Sequence, residues 1–260
     1  MKFFKLLFLC SAMGLLTYCS SSNESEESST ESENLSNEEA PAAKATEAPA
    51  VCVWDNISVR KEASSKSKWL TSISLGESLT SLGNTEKDSL DNDREYTQIQ
   101  LADGTEGWAL SDFIIENAKV GVFLEDVFIY KRPDLLTKTD KKFTQMDIVA
   151  IKSTEGDWLE VVGKRTGAKW IQNGWVKKAN ISEKDIDVAV AKFAKPALNL
   201  SNDSKKVAAL EEIVGNSDLS SSSFISVINR KLDELSQDDE MYEEYAEDTD
   251  YESVEETEEL

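Results

Sequence analysis

The residue types in this chain close several routes to catalysis before any fold is considered. Its 260 residues include no histidine. That removes Ser-His-Asp and Cys-His nucleophiles and takes the main donor out of the usual zinc sets. The cysteines are Cys10, Cys19 and Cys52, too few for a disulfide framework. Neither a P-loop nor a dinucleotide GxGxxG is written anywhere. Asp88, Asp91 and Asp93 stand close together in DSLDND. They could attract calcium weakly, but the glycine and terminal glutamate of an EF-hand loop are missing, so the stretch reads as a solvated loop. The expectation is a non-enzyme with no catalytic residue, no metal and no cofactor.

The residues left with recognition chemistry are aromatic. Trp69, Tyr96 and Trp108 fall in one stretch, and Tyr130, Trp158, Trp170 and Trp175 in the next. Tryptophan and tyrosine combine broad contact area with a polar handle. The candidate binding residues are Trp69, Tyr96, Arg60, Tyr130 and Trp158. A competing reading makes the rings lids or core of small β units. Trp108 and Trp175 fit that reading best, while Trp69, Tyr96 and Tyr130 fit either.

What must position these rings is a repeated β pattern. DGTEGWALSDFI (103–114) is echoed by QNGWVKKANI (172–181), with the Gly-Trp pairs sixty-seven positions apart. DVFIYKRPD lies seventy residues after NISVRKEAS, FTQMDIVAI keeps about that offset from ISLGESLTS, and GDWLEVVG stands where REYTQIQL stood. Within EYTQIQL, Thr97, Ile99 and Leu101 share one face, and Tyr96, Gln98 and Gln100 the other. Asp103-Gly104 is a tight-turn signal. The reading is two units of five or six short strands each, at 51–117 and 118–182. In both, the glycine allows close backbone approach and the tryptophan wedges beside the closing strand.

The first unit resembles a bacterial SH3 domain. Ile57-Ser58-Val59-Arg60 corresponds to that family's Leu-Asn-Val-Arg signature, with Ser58 in place of the usual Asn. Tyr96, Asp103-Gly104 and Gly107-Trp108 correspond to its aromatic strand, turn and Gly-Trp. In the second unit Ile129-Tyr130 replaces Val-Arg, and the Trp158 strand and Gly174-Trp175 carry the likeness. The resemblance implies non-catalytic modules that bind cell-wall peptide or protein partners in the cell envelope.

The flanks read differently. Residues 1–18 are a signal peptide, with Lys2 and Lys5 before an apolar run from Leu6 to Leu16 that is too short for a stable span. Leu16-Thr17-Tyr18-Cys19 resembles a bacterial lipobox, although Tyr18 stands where Gly or Ala is usual; Cys19 is therefore the expected lipidation site. Residues 19–50 form a Ser- and Glu-rich tether and 237–260 an acidic tail, both expected to be disordered. The formal net charge is −22; the signal contributes +2, the tether −7 and the tail −13, leaving −4 for 51–236. Without a basic patch, nucleic-acid binding is disfavoured.

From 183 to 236 the period becomes helical. A first helix takes Ser182 as its cap, buries Ile186, Ala189, Val190, Phe193 and Ala197, and is kinked or ended by Pro196. A second runs from a Ser/Asn cap to Gly215 with Val207, Leu210, Ile213 and Val214 inward. A third carries Phe224, Val227, Ile228, Leu232 and Leu235. Their stripes need a partner surface, and the second unit is expected to supply it. Altogether the chain reads as mainly β: two SH3-like barrels, a short helical segment and disordered flanks. Its expected function is that of a membrane-anchored envelope lipoprotein, periplasmic or surface-exposed, that binds a peptide, wall or protein partner. The alternative is a structural subunit of an envelope assembly with no small ligand.

Overall fold

The computed structural model describes residues 46–248. The signal segment, Cys19 and the tether up to residue 45 lie outside the described residues, as do residues 249–260. The fold is mainly β: two seven-stranded antiparallel sheets followed by three helices.

The first sheet comprises β1 (Ala48–Cys52), β2 (Ile57–Arg60), β3 (Trp69–Ile73), β4 (Ser78–Asp88), β5 (Arg94–Gln100), β6 (Glu106–Leu110) and β7 (Ile114–Glu116), in the order β3-β2-β6-β5-β4-β1-β7. The second comprises β8 (Lys119–Phe123), β9 (Val127–Tyr130), β10 (Lys138–Phe143), β11 (Ile148–Glu155), β12 (Trp158–Lys164), β13 (Ile171–Lys177) and β14 (Ile181–Ser182), in the order β10-β9-β13-β12-β11-β8-β14. Subtracting seven from each label turns the second order into the first. The sequence repeat is therefore a repeat of topology.

Each sheet curls around its own core. All seven strands of the first contribute, among them Cys52, Val59, Ile73, Leu79, Ile99, Ala109 and Ile114. The second encloses Phe123, Ile129, Phe143, Val149, Leu159, Val161 and Val176. Phe123 and Phe143 stack with centroids 4.7 Å apart. As the alternation of β5 predicts, Thr97 and Ile99 point inward and are buried.

The Gly-Trp pairs sit where a short strand must cross close to β2 or β9. Trp108 pairs with Arg60, and Trp175 pairs with Tyr130. A Cβ on Gly107 would lie 2.6 Å from Val59 Cγ1 and 2.8 Å from the Arg60 carbonyl oxygen; one on Gly174 would overlap Ile129 Cγ2. Any larger residue would force the strands apart. The adjoining tryptophans, Trp108 and Trp175, are half-buried.

The two sheets share an apolar seam. Val51 and Val53 from the first meet Ala118 and Ala150 from the second, with Ile115, Val120 and Ile171 alongside. The helices, α1 (Asp185–Leu198), α2 (Asp203–Gly215) and α3 (Ile225–Asp248), pack on the second sheet. Val122, Met146 and Ile148 join Val188, Ala191, Leu210, Ile213, Phe224 and Ile228 in one core, with Leu75 of the first sheet against it. Met146 occupies the position of Gly76 in the repeat. It adopts the same left-handed backbone (φ 65° against 70°) although it carries a side chain. That side chain is buried under the helices.

Several expectations are corrected. Each sheet has seven strands rather than five or six, because the short β7 and β14 pair onto β1 and β8 and form one edge. The predicted tether extends too far: Ala48, Pro49 and Ala50 belong to β1 and pair with β4. Helix α3 continues to Asp248, past the boundary set at 236. Helix α1 begins at Asp185 and is not capped by Ser182, whose hydroxyl is drawn to Asp187 instead. The face of α1 that packs inward is Val190, Ala191, Ala194 and Ala197, while Phe193 is exposed. Alanine admits the helix close to the sheet, and phenylalanine would hold it off. The Asn202 cap of α2 is found as read, accepting from Lys205 N at 2.8 Å.

Candidate functional site

On the first sheet the expected recognition residues divide. Arg60 and Tyr96 come together in a cleft of about 220 Å³ with Arg94 and Leu110. Arg60 Nη1 donates to the Ser67 carbonyl oxygen at 2.8 Å, so it holds its own loop. Tyr96 is only 2% exposed, and burial pushes its phenol above the ordinary value. Proposed as a contact ring, it is a packed one: it lies on the outer face of β5, but the cleft closes over it. Trp69 is 54% exposed, its Nε1 donating to Ser72 Oγ at 3.3 Å. It does not line the Arg60–Tyr96 cleft.

On the second sheet Tyr130 and Trp158 meet edge to face, with centroids 4.9 Å apart. Lys177 Nζ lies 3.9 Å above the Trp158 ring. Trp158 is buried, which withdraws it as contact surface. Tyr130 is half-buried and lines a cleft of about 500 Å³ with Trp175, Lys131, Lys138 and Lys141.

A further aromatic groove lies between the sheets. It has a volume of about 690 Å³ and is lined by Trp54, Phe113 and Ile115 from the first sheet and by Val162, Trp170 and Ile171 from the second. Trp54 and Phe113 pack with centroids 5.3 Å apart. Lys164 Nζ sits 4.1 Å from the Trp54 ring, drawn to its negative face. Lys152 and Lys169 supply two cations to the wall, against one carboxylate, Asp112. Trp170 is 81% exposed. A groove of flat apolar rings rimmed by ammonium groups suits an apolar group that carries a carboxylate. Sequence reasoning counted Trp170 among the aromatic residues without placing it in the site, and it missed Trp54 and Phe113. Nothing in the local pattern of either signals that the sheets would meet there.

The buried titratable groups are committed to structure. Asp147 Oδ1 accepts from Lys195 Nζ at 2.6 Å and from Thr166 Oγ1 at 2.8 Å. Asp147 Oδ2 accepts from Thr144 N at 2.8 Å. The Lys195 ammonium also reaches the Gln145 carbonyl oxygen, and burial pulls its pKa down despite the Asp147 partner. This pair ties α1 to the β10–β11 turn. Cys52 donates to the Trp54 carbonyl oxygen, and burial pushes the thiol up to about 11, so it packs as a small apolar residue. Asp88 accepts from Ser65 N and Leu90 N, and Asp91 faces Arg94 at 3.6 Å. Among the described residues no three His, Cys, Asp or Glu side chains are grouped to hold a metal ion.

No protein-family model and no curated protein matches the chain. Among solved structures it has a distant likeness to NlpC2 from Trichomonas vaginalis, at 11% identity and a TM-score of 0.23, covering 66% of this chain and 57% of that one. NlpC1 from the same organism matches at 12% identity and a TM-score of 0.23, covering 60% and 55%. The chain thus spans less than two thirds of either protein.

Proposed function

We propose that this chain is a non-catalytic binding protein of the bacterial cell envelope, built from two SH3-like modules and tethered through acylated Cys19. Its ligand is a wall-derived or protein peptide carrying an apolar side chain beside a carboxylate. The observation that carries this reading is the groove between the sheets, with the rings of Trp54, Phe113 and Trp170 and the cations of Lys152 and Lys169. The repeated topology and the Ile57–Arg60 and Gly107-Trp108 signatures support the SH3-like assignment.

The test is a tryptophan-fluorescence titration with a soluble cell-wall stem peptide bearing free carboxylates. Saturable quenching is expected, weakened about tenfold or more by Trp170→Ala, since truncating an aromatic hot spot costs about 2 kcal/mol or more. Melting should be unaffected, because Trp170 is exposed. A titration with no saturable change, or one indifferent to Trp170→Ala, defeats the groove as the binding site.

A further inference from the structure

The two sheets provide an internal control for one surface feature. The loop from 131 to 137, between β9 and β10, is built like its counterpart from 61 to 68, between β2 and β3. Asp134 N donates to the Arg132 carbonyl oxygen as Ser64 N does to that of Glu62, both at 2.7 Å. Thr137 N donates to the Asp134 carbonyl oxygen as Ser67 N does to that of Ser64, both at 3.1 Å. Arg132 N reaches Thr137 Oγ1 as Glu62 N reaches Ser67 Oγ. Leu136 N reaches Asp134 Oδ1 as Lys66 N reaches Ser64 Oγ. At the tip of this shared scaffold the first copy carries Ser65 and Lys66, and the second carries Leu135 and Leu136. The fold therefore does not require leucine there. Yet Leu135 is 64% and Leu136 93% exposed, held out by a hydrogen-bonded turn.

The surroundings of the tip identify its partner. Lys131, Arg132 and Lys138 flank it in the chain and are exposed, as is Lys141 further along β10, with Asp134 and Asp140 as the opposing charges; the Lys138 ammonium rests 3.5 Å over the Phe128 ring and Lys141 Nζ donates to Gln172 Oε1. The chain as a whole carries −22, so a net positive rim is a local departure. Lys131 and Lys138, which flank the tip, also line the cleft of about 500 Å³ beside Tyr130 and Trp175. A convex pair of leucines ringed by long basic side chains matches the boundary between acyl chains and anionic headgroups: the leucines enter the hydrocarbon edge and the cations stay with the phosphates.

We infer that the β9–β10 tip, Leu135 and Leu136 with their basic rim, is a contact site for an anionic phospholipid surface. It is separate from the groove between the sheets and from any acyl anchor. The experiment uses residues 19–260 carrying Cys19→Ser, so that no acyl chain is present. The protein is sedimented with vesicles of phosphatidylcholine alone or mixed in equal parts with phosphatidylglycerol. Binding to the mixed vesicles is expected, with at least about tenfold weaker partition for Leu135→Ser/Leu136→Ser, from the apolar area withdrawn. Lys131→Glu/Lys138→Glu should weaken it as well. Both pairs of positions are exposed, and near-ultraviolet circular dichroism checks that the variants remain folded. Failure to bind the mixed vesicles overturns the proposal. So does binding that the leucine variant retains in full, which would be attraction of charge alone. Stem-peptide binding by the leucine variant should be unchanged, which separates this surface from the groove.

Discussion

Asp187 offers the sharpest test of how the helices are fixed. It is fully buried in the first turn of α1 and accepts from Ser182 Oγ at 2.6 Å, Ser222 Oγ at 2.7 Å, Ser223 N at 2.7 Å and Ser223 Oγ at 3.1 Å. One carboxylate thus joins the end of the second sheet, the start of α1 and the turn before α3. A hydrogen bond to a charged acceptor contributes about 1.5–3 kcal/mol, and a buried donor left unmet costs about 1–3 kcal/mol. The serine hydroxyls can rotate about their C–O bonds to seek another acceptor. The Ser223 N–H cannot turn. Asp187→Ala is therefore expected to cost about 3 kcal/mol, less than the sum of four bonds. For a folded body of this size that lowers Tm by about 6–12 °C. Asp187→Asn keeps one acceptor oxygen for Ser223 N and should cost about 1–2 kcal/mol.

The pH dependence follows from the same contacts. Burial alone would raise the Asp187 pKa, but the bonds from Ser182, Ser222 and Ser223 outweigh it and hold the carboxyl below its ordinary value. A depressed native pKa means stability that is complete above the unfolded value, about 3.9, and is lost as pH falls through the native value. The advantage of the wild type over Asp187→Asn should thus be full at pH 6 and shrink toward pH 3. Urea unfolding at both pH values, with amide exchange to localise the loss to α1 and α3, reads this out. An Asn variant as stable as the wild type at pH 6, or a gap that widens in acid, would refute the reasoning.

Gly107→Ala and Gly174→Ala should each cost about 2–3 kcal/mol in urea titrations, because the added methyl meets Val59 and the Arg60 carbonyl oxygen, or Ile129. The Cys52 thiol, pushed to about 11, should resist iodoacetamide at pH 8 in the native chain and react in urea, as peptide mapping would show. Lys195→Met should destabilise by about 3 kcal/mol, since it takes the counter-charge from the buried Asp147 carboxylate; Asp147→Asn in the same chain should recover part of this. Truncation after Ser182 should speed amide exchange in β8 and β11, which lose the helical cover over Val122 and Ile148, more than in β5 and β6.

What the sequence determined by itself is local. The alternation in EYTQIQL, the Asp103-Gly104 turn and the Asn202 cap each depend on a period or a turn residue readable within ten positions, and the seventy-residue echo on comparing two such stretches; they yielded most strands, the limits of α2 and the repeat. The absence of histidine is likewise visible without coordinates. Which face of α1 packs inward was not readable, because Phe193 outranks alanine in apolarity while closeness to the sheet favours alanine. Nor did the sequence place Asp187 at the meeting point of three serines, two of them thirty-five or more residues away. The aromatic residues show the division most clearly. Tyr96 and Trp158 carry the same chemistry as Trp170, yet the tertiary structure buries the first two and exposes the third at a groove. That groove exists only because Val51 and Val53 of one sheet pack against Ala118 and Ala150 of the other. Exposure is a property of what packs over a side chain: residues of their own sheets cover Tyr96 and Trp158, while Trp170 stays open.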